Sequence, residues 1–223
     1  MRIRFLPAVV VSFLLSSLIF SMAARAEEDT LSLVTGPTTG TYFVMAKEIS
    51  EAVAKSGIPI DVKPSEGSVD NIKRMNSNER AELGLVQSDV LNFLSRSKNP
   101  DSMRMAGGLR MVAPLYDEEI HILAKSDIRS VADLSGRKVA IGEDGSGNML
   151  TAINLFAMMN ATPAELHKIP SAQGVVLLLK GELDAVVVVA GKPVRLFKNL
   201  EELTKAKNPQ YAEMLEKLHF LPL

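Results

Sequence analysis

The chain has 223 residues, 25 lysines and arginines against 26 aspartates and glutamates, 47% apolar residues, and no cysteine or tryptophan. A near-neutral balance without clustered basic residues excludes a nucleic-acid footprint. The lack of cysteine excludes disulfides, thiol catalysis and a lipid-modified cysteine, and the length suits one large domain or two small ones around a packed core.

Residues 1–26 predict a cleaved secretory leader. Arg2 and Arg4 form a positive head, Phe5 to Phe20 is apolar apart from serines and Pro7, and Ala24-Arg25-Ala26 has the small-x-small pattern of a signal-peptidase site. As a membrane anchor the run falls short of the roughly 18 to 20 residues that span a bilayer. Removing it takes three arginines and no acid, leaving 22 basic and 26 acidic residues. The expected location is the periplasm, after cleavage behind Ala26.

From Thr30 short apolar runs alternate with helical periods. Leu31 to Val34 predicts a strand; Tyr42, Met45, Ala46, Ile49 and Val53 recur at helical spacing. Ile58 to Val62 is the second strand, and Val69, Ile72 and Met75 mark a short helix. Ala81 to Val86 is the third strand, with a helix through Val90 and Leu94 capped by Ser88 or Asp89. This rhythm indicates parallel strands joined by crossover helices.

Leu109 to Leu123 predicts extended strands entering a second unit. A helical turn at Ser130 to Leu134, a strand at Arg137 to Ile141 and a helix through Leu150 and Phe156 follow. Val175 to Leu179 is a helix face and Asp184 to Ala190 a buried parallel strand. Two helices, about 194–206 and 209–218, precede a last apolar HFLPL. LSLVTGPTTGTYF and KVAIGEDGSGNML echo each other weakly as strand, glycine loop and helix, which predicts a cleft lined by helix N-termini from both sides.

Four loops lie between a strand and a helix: GPTTGTY (36–42), PSEGSVDN (64–71), VQSDV (86–90) and GEDGSGN (142–148). In an open parallel sheet that edge is where ligands bind. Helix first turns there offer unpaired N–H groups and partial positive charge, enough to hold a carboxylate or phosphate without arginine. Taken singly each loop is an ordinary turn with a cap; four on one edge favour a binding site.

Enzymatic motifs are weak. GPTTGTY lacks the Lys-Ser/Thr ending of a phosphate-binding P-loop, and Ser146 in DGSGN is not the G-x-S-x-G elbow. His121, His167 and His219 lack metal-ligand spacing and predict surface or edge residues. Asp117, Glu118 and Glu119 read as a solvated face, and Met158-Met159 as core filler. No catalysis, metal or cofactor is expected.

The motifs TGPTTGTY, SEGSVDNI, GLVQSDV, VAPLYDEEIH, DLSGRKVAIGEDGSGNMLTA and GELDAVVVVAGKP occur in that order. In this order the chain resembles the TAXI family, solute receptors of TRAP (tripartite ATP-independent periplasmic) transporters, over nearly all of residues 30–223. The resemblance implies an α/β, two-lobed, type II periplasmic-binding-protein (Venus-flytrap) fold, with lobe 1 at 27–114 and lobe 2 at 115–223. It also implies a small carboxylate-bearing solute, an amino acid such as glutamate or glutamine or another organic acid, delivered to a membrane TRAP permease.

By motif the site would use Thr39, Gly40, Thr41 and Tyr42 from the first loop, Gly67, Ser68 and Asn71 from the second, and Gln87 and Asp89 from the third. Opposite lie Ser146, Gly147, Asn148 and Thr151, with Gly191 and Pro193 nearby. Ser68, Ser146 and loop amides would take the carboxylate, Gln87 and Asp89 an amino group, and Tyr42 would wall the pocket. Family members continue beyond HFLPL with a segment returning to lobe 1, so the resemblance implies that this C-terminal segment is lacking. A ligand-sensing partner of a signalling receptor and a non-functional remnant are the competing readings.

Overall fold

The computed structural model describes residues 30–77, 79, 81–205 and 209–223; the predicted leader lies outside them. Leu31–Val34 (β1), Ile60–Lys63 (β2) and Leu83–Gly84 (β3) form a parallel sheet in the order β2-β1-β3. Parallel neighbours need crossovers, supplied by Thr41–Ala54 (α1) and Ser68–Met75 (α2). Helix α1 lays Tyr42 and Ala46 against Leu33, Leu85, Ile60 and Val62, the helical stripe expected from the sequence.

Ser88–Ser95 (α3) follows β3, and Pro100–Gly107 (α4) packs beside it. Neither Ser88 nor Asp89 caps α3; Gln87 occupies the cap position without a side-chain bond. Helix α4 has no counterpart in the pattern read from the sequence. Its start is nonetheless encoded locally, since Asn99 accepts from the amides of Asp101 and Ser102 ahead of a proline in the first turn.

Residues 109–118 carry no strand, against expectation. Pro114 has no N–H to give a ladder, and Met111 and Val112 stand exposed. The second sheet contains Glu119–Lys125 (β4), Lys138–Ala140 (β5), Glu165–His167 (β6), Ala185–Ala190 (β7) and Leu218–Phe220 (β8) in the order β6-β5-β7-β4-β8. Strands β5, β6 and β7 are parallel, whereas β4 runs antiparallel to both β7 and β8.

Strand β7 is buried on both faces, and its alternation divides the core. Ala185 and Val187 join Ile122, Val139 and Ile141 under Ala152 and Phe156 of Gly147–Met158 (α5). Val186 and Val188 join Leu123 and Ala140 under Val175 and Leu178 of Ser171–Leu179 (α6), with Leu196 and Leu200 of Arg195–Lys205 (α7) beside them. Pro209–Glu216 (α8) leads into β8. Among the described residues no helix is long and apolar enough to cross a membrane.

Two local expectations fail. Met158 and Met159 are exposed because α5 ends there, beyond the face that Ala152 and Phe156 turn to the sheet. His121 is not a plain surface residue: it sits on interior strand β4, edge-to-face with Phe197 and Phe220, its Nε2 buried without a hydrogen-bond partner.

At the carboxyl edge of each sheet an asparagine, Asn71 buried and Asn148 half-buried, ties the strand ends together. Asn71 donates to the carbonyls of Thr35 after β1 (2.5 Å) and Leu85 after β3 (2.6 Å), and accepts from Ser65 Oγ after β2 (2.6 Å). Asn148 donates to the carbonyls of Ile141 (2.6 Å) and Val187 (3.0 Å) and accepts from Val189 N (2.6 Å). Each amide thus satisfies backbone groups that parallel pairing leaves open.

Substituting Asn148→Ala should strand two carbonyls and one amide, at about 1–3 kcal/mol for each group left buried and unpaired. With about 2–4 °C lost per kcal/mol in a chain of this size, a thermal melt should fall by several degrees. Asn148→Asp, the same shape without donors, should be at least as damaging. An unchanged melt for both would show that this amide does not hold the edge.

Candidate functional site

Polarity decides what reaches the cleft. Strands β1, β2 and β3 all end on one edge, as do β5, β6 and β7 on theirs. Because β4 is antiparallel, with Glu119 opposite Ala190, its beginning rather than its end arrives beside the loop after β7. Tyr116 and Glu118 therefore join the edge loops. A Cβ at Gly191 would stand 2.6 Å from the Tyr116 ring, so only glycine admits that ring.

Glu118 carries two phenols. Tyr116 donates to Oε1 at 3.1 Å and Tyr42, at the start of α1, donates to Oε2 at 3.2 Å. The two rings meet edge-to-face, centroids 6.4 Å apart. Burial pushes the Glu118 carboxyl above the ordinary carboxylate range; the two hydroxyls pull it back, and the Asp89 charge pushes it further up. Burial, and then the Glu118 charge, push both tyrosines upward, so they remain protonated donors.

The two lobes touch through small residues. The carbonyl of Gly145, in the loop before α5, accepts from the amides of Val69 and Asp70 in the first turn of α2, both at 3.0 Å. Opposite Gly147, a Cβ would stand 1.5 Å from Gln87 Oε1 and 2.8 Å from Ser68 Oγ. Gly67 faces the Ser146 backbone, where a Cβ would make ordinary contact at 3.4 Å, and its positive φ of 118° favours glycine. Deeper in, Thr151 donates to Asp89 Oδ2 at 2.5 Å and accepts from Gln87 Nε2 at 3.5 Å. Ser68 accepts from Gln87 N at 3.0 Å and reaches Gln87 Oε1 at 3.4 Å.

Of the residues expected at the site, the fold thus gathers Tyr42, Gly67, Ser68, Gln87, Asp89, Ser146, Gly147, Thr151 and Gly191 around one interlobe seam. Asn71 and Asn148 stand behind it as edge clamps, their amides fully engaged. Gly40 occupies the cap position of α1 and closes the preceding turn onto Pro37 O at 2.8 Å. Thr39, Thr41 and Pro193 are exposed, and none of these contacts reaches them.

The hydroxyls assigned to a carboxylate have protein partners in this arrangement. Ser146 caps α5, accepting from Met149 N at 3.1 Å and donating to Glu143 O at 2.7 Å, and Ser68 is held by Gln87. Glu118, read from the sequence pattern as part of a solvated face, and Tyr116, not singled out there, stand beside the seam by position. Their two-residue spacing in an extended segment, which puts both side chains on one side, was the available signal.

The family model described as NMT1-like matches residues 33–216. The chain belongs to the NMT1-like family. Solved structures show the same type II periplasmic-binding-protein fold at low identity. An ancestral arginine-binding protein bound to arginine is 16% identical, with a TM-score of 0.52 over 86% of this chain and 78% of that one. GshT, from work on glutathione import and a cystine ABC importer of Streptococcus mutans, is 18% identical, with a TM-score of 0.51 over 87% and 77%. The arginine-, lysine-, histidine-binding protein ArtJ of Geobacillus stearothermophilus is 14% identical, with a TM-score of 0.50 over 87% and 76%.

In this NMT1-like chain Gly147 sets how closely the lobes approach. Gly147→Val places a branched side chain where the ends of Gln87 and Ser68 stand, so the seam is expected to open. Small-angle scattering should report a larger radius of gyration than for the unsubstituted protein. Equal radii would mean that the seam accommodates the side chain by local rearrangement.

Proposed function

We propose that this protein is an extracytoplasmic solute receptor that captures a small carboxylate-bearing solute, an amino acid or an organic acid, between its lobes and passes it to a membrane permease. The observation that carries this reading is the interlobe seam. Gln87 and Asp89 from one lobe meet Thr151 from the other, so closure itself completes the polar lining. The solute carboxylate belongs at the N-terminus of α1, where Gly40 offers no capping side chain to compete. The names of the structurally similar proteins, which bind arginine, lysine or histidine, support an amino-acid-sized ligand.

On this reading the leader directs the chain to the periplasm, and the membrane partner is a TRAP permease, as the motif order over residues 35–193 suggests. A second reading, delivery to an ABC importer, is favoured by the importer named with GshT. Vesicle uptake that depends on an ion gradient supports the first, and uptake that depends on ATP the second. The role is capture rather than turnover.

A thermal melt with a panel of amino acids and organic acids tests the proposal. A solute at about a hundred times its dissociation constant adds roughly 2.7 kcal/mol, a shift of several degrees at about 2–4 °C per kcal/mol. Thr151→Val, which removes the bond to a charged partner across the seam, should weaken that solute about ten- to a hundredfold. A cooperative melt unmoved by every solute would remove the receptor reading.

A further inference from the structure

The cleft is built from carboxylates and phenols. Glu118 lies half-buried beneath Tyr42 and Tyr116, and Asp89 is close enough for its charge to act on Glu118. Among the described residues neither carboxylate has an ion-pair partner. Basic side chains on the surrounding segments are already occupied: Lys192 pairs with Glu119 at 2.6 Å, Arg74 with Asp70 at 3.0 Å and Lys168 with Asp144 at 2.8 Å. Glu66 and Glu143, one from each lobe, add a second like-charged pair that straddles the seam.

A half-buried carboxylate without a counter-ion loses hydration that two phenols replace only in part. Its two oxygens offer about four acceptor positions, of which the tyrosines fill two. The remaining positions and the two tyrosine rings suit a cation, which both ion pairing and the aromatic quadrupole attract. The first turn of α2, a possible anion site, is instead occupied by the Gly145 carbonyl. A second carboxylate on the solute would therefore meet like charge at Glu118 and Asp89, neither of which is ion-paired among the described residues.

We propose that Glu118 is the residue that selects for a solute bearing a protonated amino group, binding that ammonium beside Tyr42 and Tyr116. This rests on the reading of the cleft as a solute site and sharpens it. The cleft takes amino acids and rejects the organic acids that match them in size. Tyr116 is a positioning residue, aiming the Glu118 carboxylate through its 3.1 Å bond.

The test uses the purified protein and isothermal calorimetry with matched pairs: glutamate and glutarate, glutamine and 4-carbamoylbutanoate, arginine and 5-guanidinopentanoate. The unsubstituted protein should bind at least one amino acid and bind its des-amino partner far more weakly. Glu118→Gln, which keeps an acceptor for the phenols, should lower that preference about ten- to a hundredfold, the worth of a charged hydrogen bond. If Glu118 merely tethers α1 to the segment before β4, both members of a pair weaken by the same factor and the proposal fails.

A preference of the unsubstituted protein for the des-amino acids overturns the proposal even if the variant does not fold, and leaves the receptor reading standing. Binding of no probe from either set overturns that reading, and the inference with it.

Discussion

Parallel strands that stop together leave a row of carbonyls and helix-start amides without partners, and this structure depends on how that row is satisfied. Asn71 and Asn148 each bind three groups from adjoining strand ends, one asparagine per sheet. With the strand ends held, the loops beyond them become fixed platforms rather than mobile connections. The first turn of α2 is satisfied differently, by a carbonyl from the opposite lobe. The same backbone requirement thus stabilises each lobe and brings the two together.

The seam that results is narrow and polar. Glycines at 67, 145 and 147 let the backbones approach, and Gln87, Asp89 and Thr151 bridge the gap between them. Charge is distributed unevenly around it: the carboxylates of Glu66, Asp89, Glu118 and Glu143 face the cleft region without basic partners among the described residues. Such a field favours cationic groups near the mouth and opposes anions. The phenols of Tyr42 and Tyr116 hold Glu118 in place without neutralising it.

Much of this was legible in the sequence because period and turn chemistry are local. The β-α-β-α-β run, the turn at 131–134 and the four edge loops follow from alternation, glycine placement and capping residues. Polarity was not legible. LRMVAPLYDEEIHILAK gives no local sign that its strand runs against its neighbours, yet that direction brings Glu118 to the cleft instead of to solvent. Strand β6 has no buried residue, and helix α4 buries only Ala106, so neither carries an apolar pattern; the Asn99-Pro100 start is the one local mark of the latter. The clamps were identified as site residues by motif, but their bonds to main chain belong to tertiary structure and leave no pattern in sequence.

The glycine seam also bears on how relatives of this chain can diverge. Where two backbones meet with no side chain between them, a larger residue on one side is tolerated only if the facing residue shrinks or its loop shortens. Positions 87 and 147, or 66 and 145, lie far apart in the sequence but meet across the gap: a side chain at 147 would run into Gln87, and one at 145 would touch Glu66. Among NMT1-like relatives the two members of such a couple should change together or not at all, while the exposed residues of the same loops vary independently.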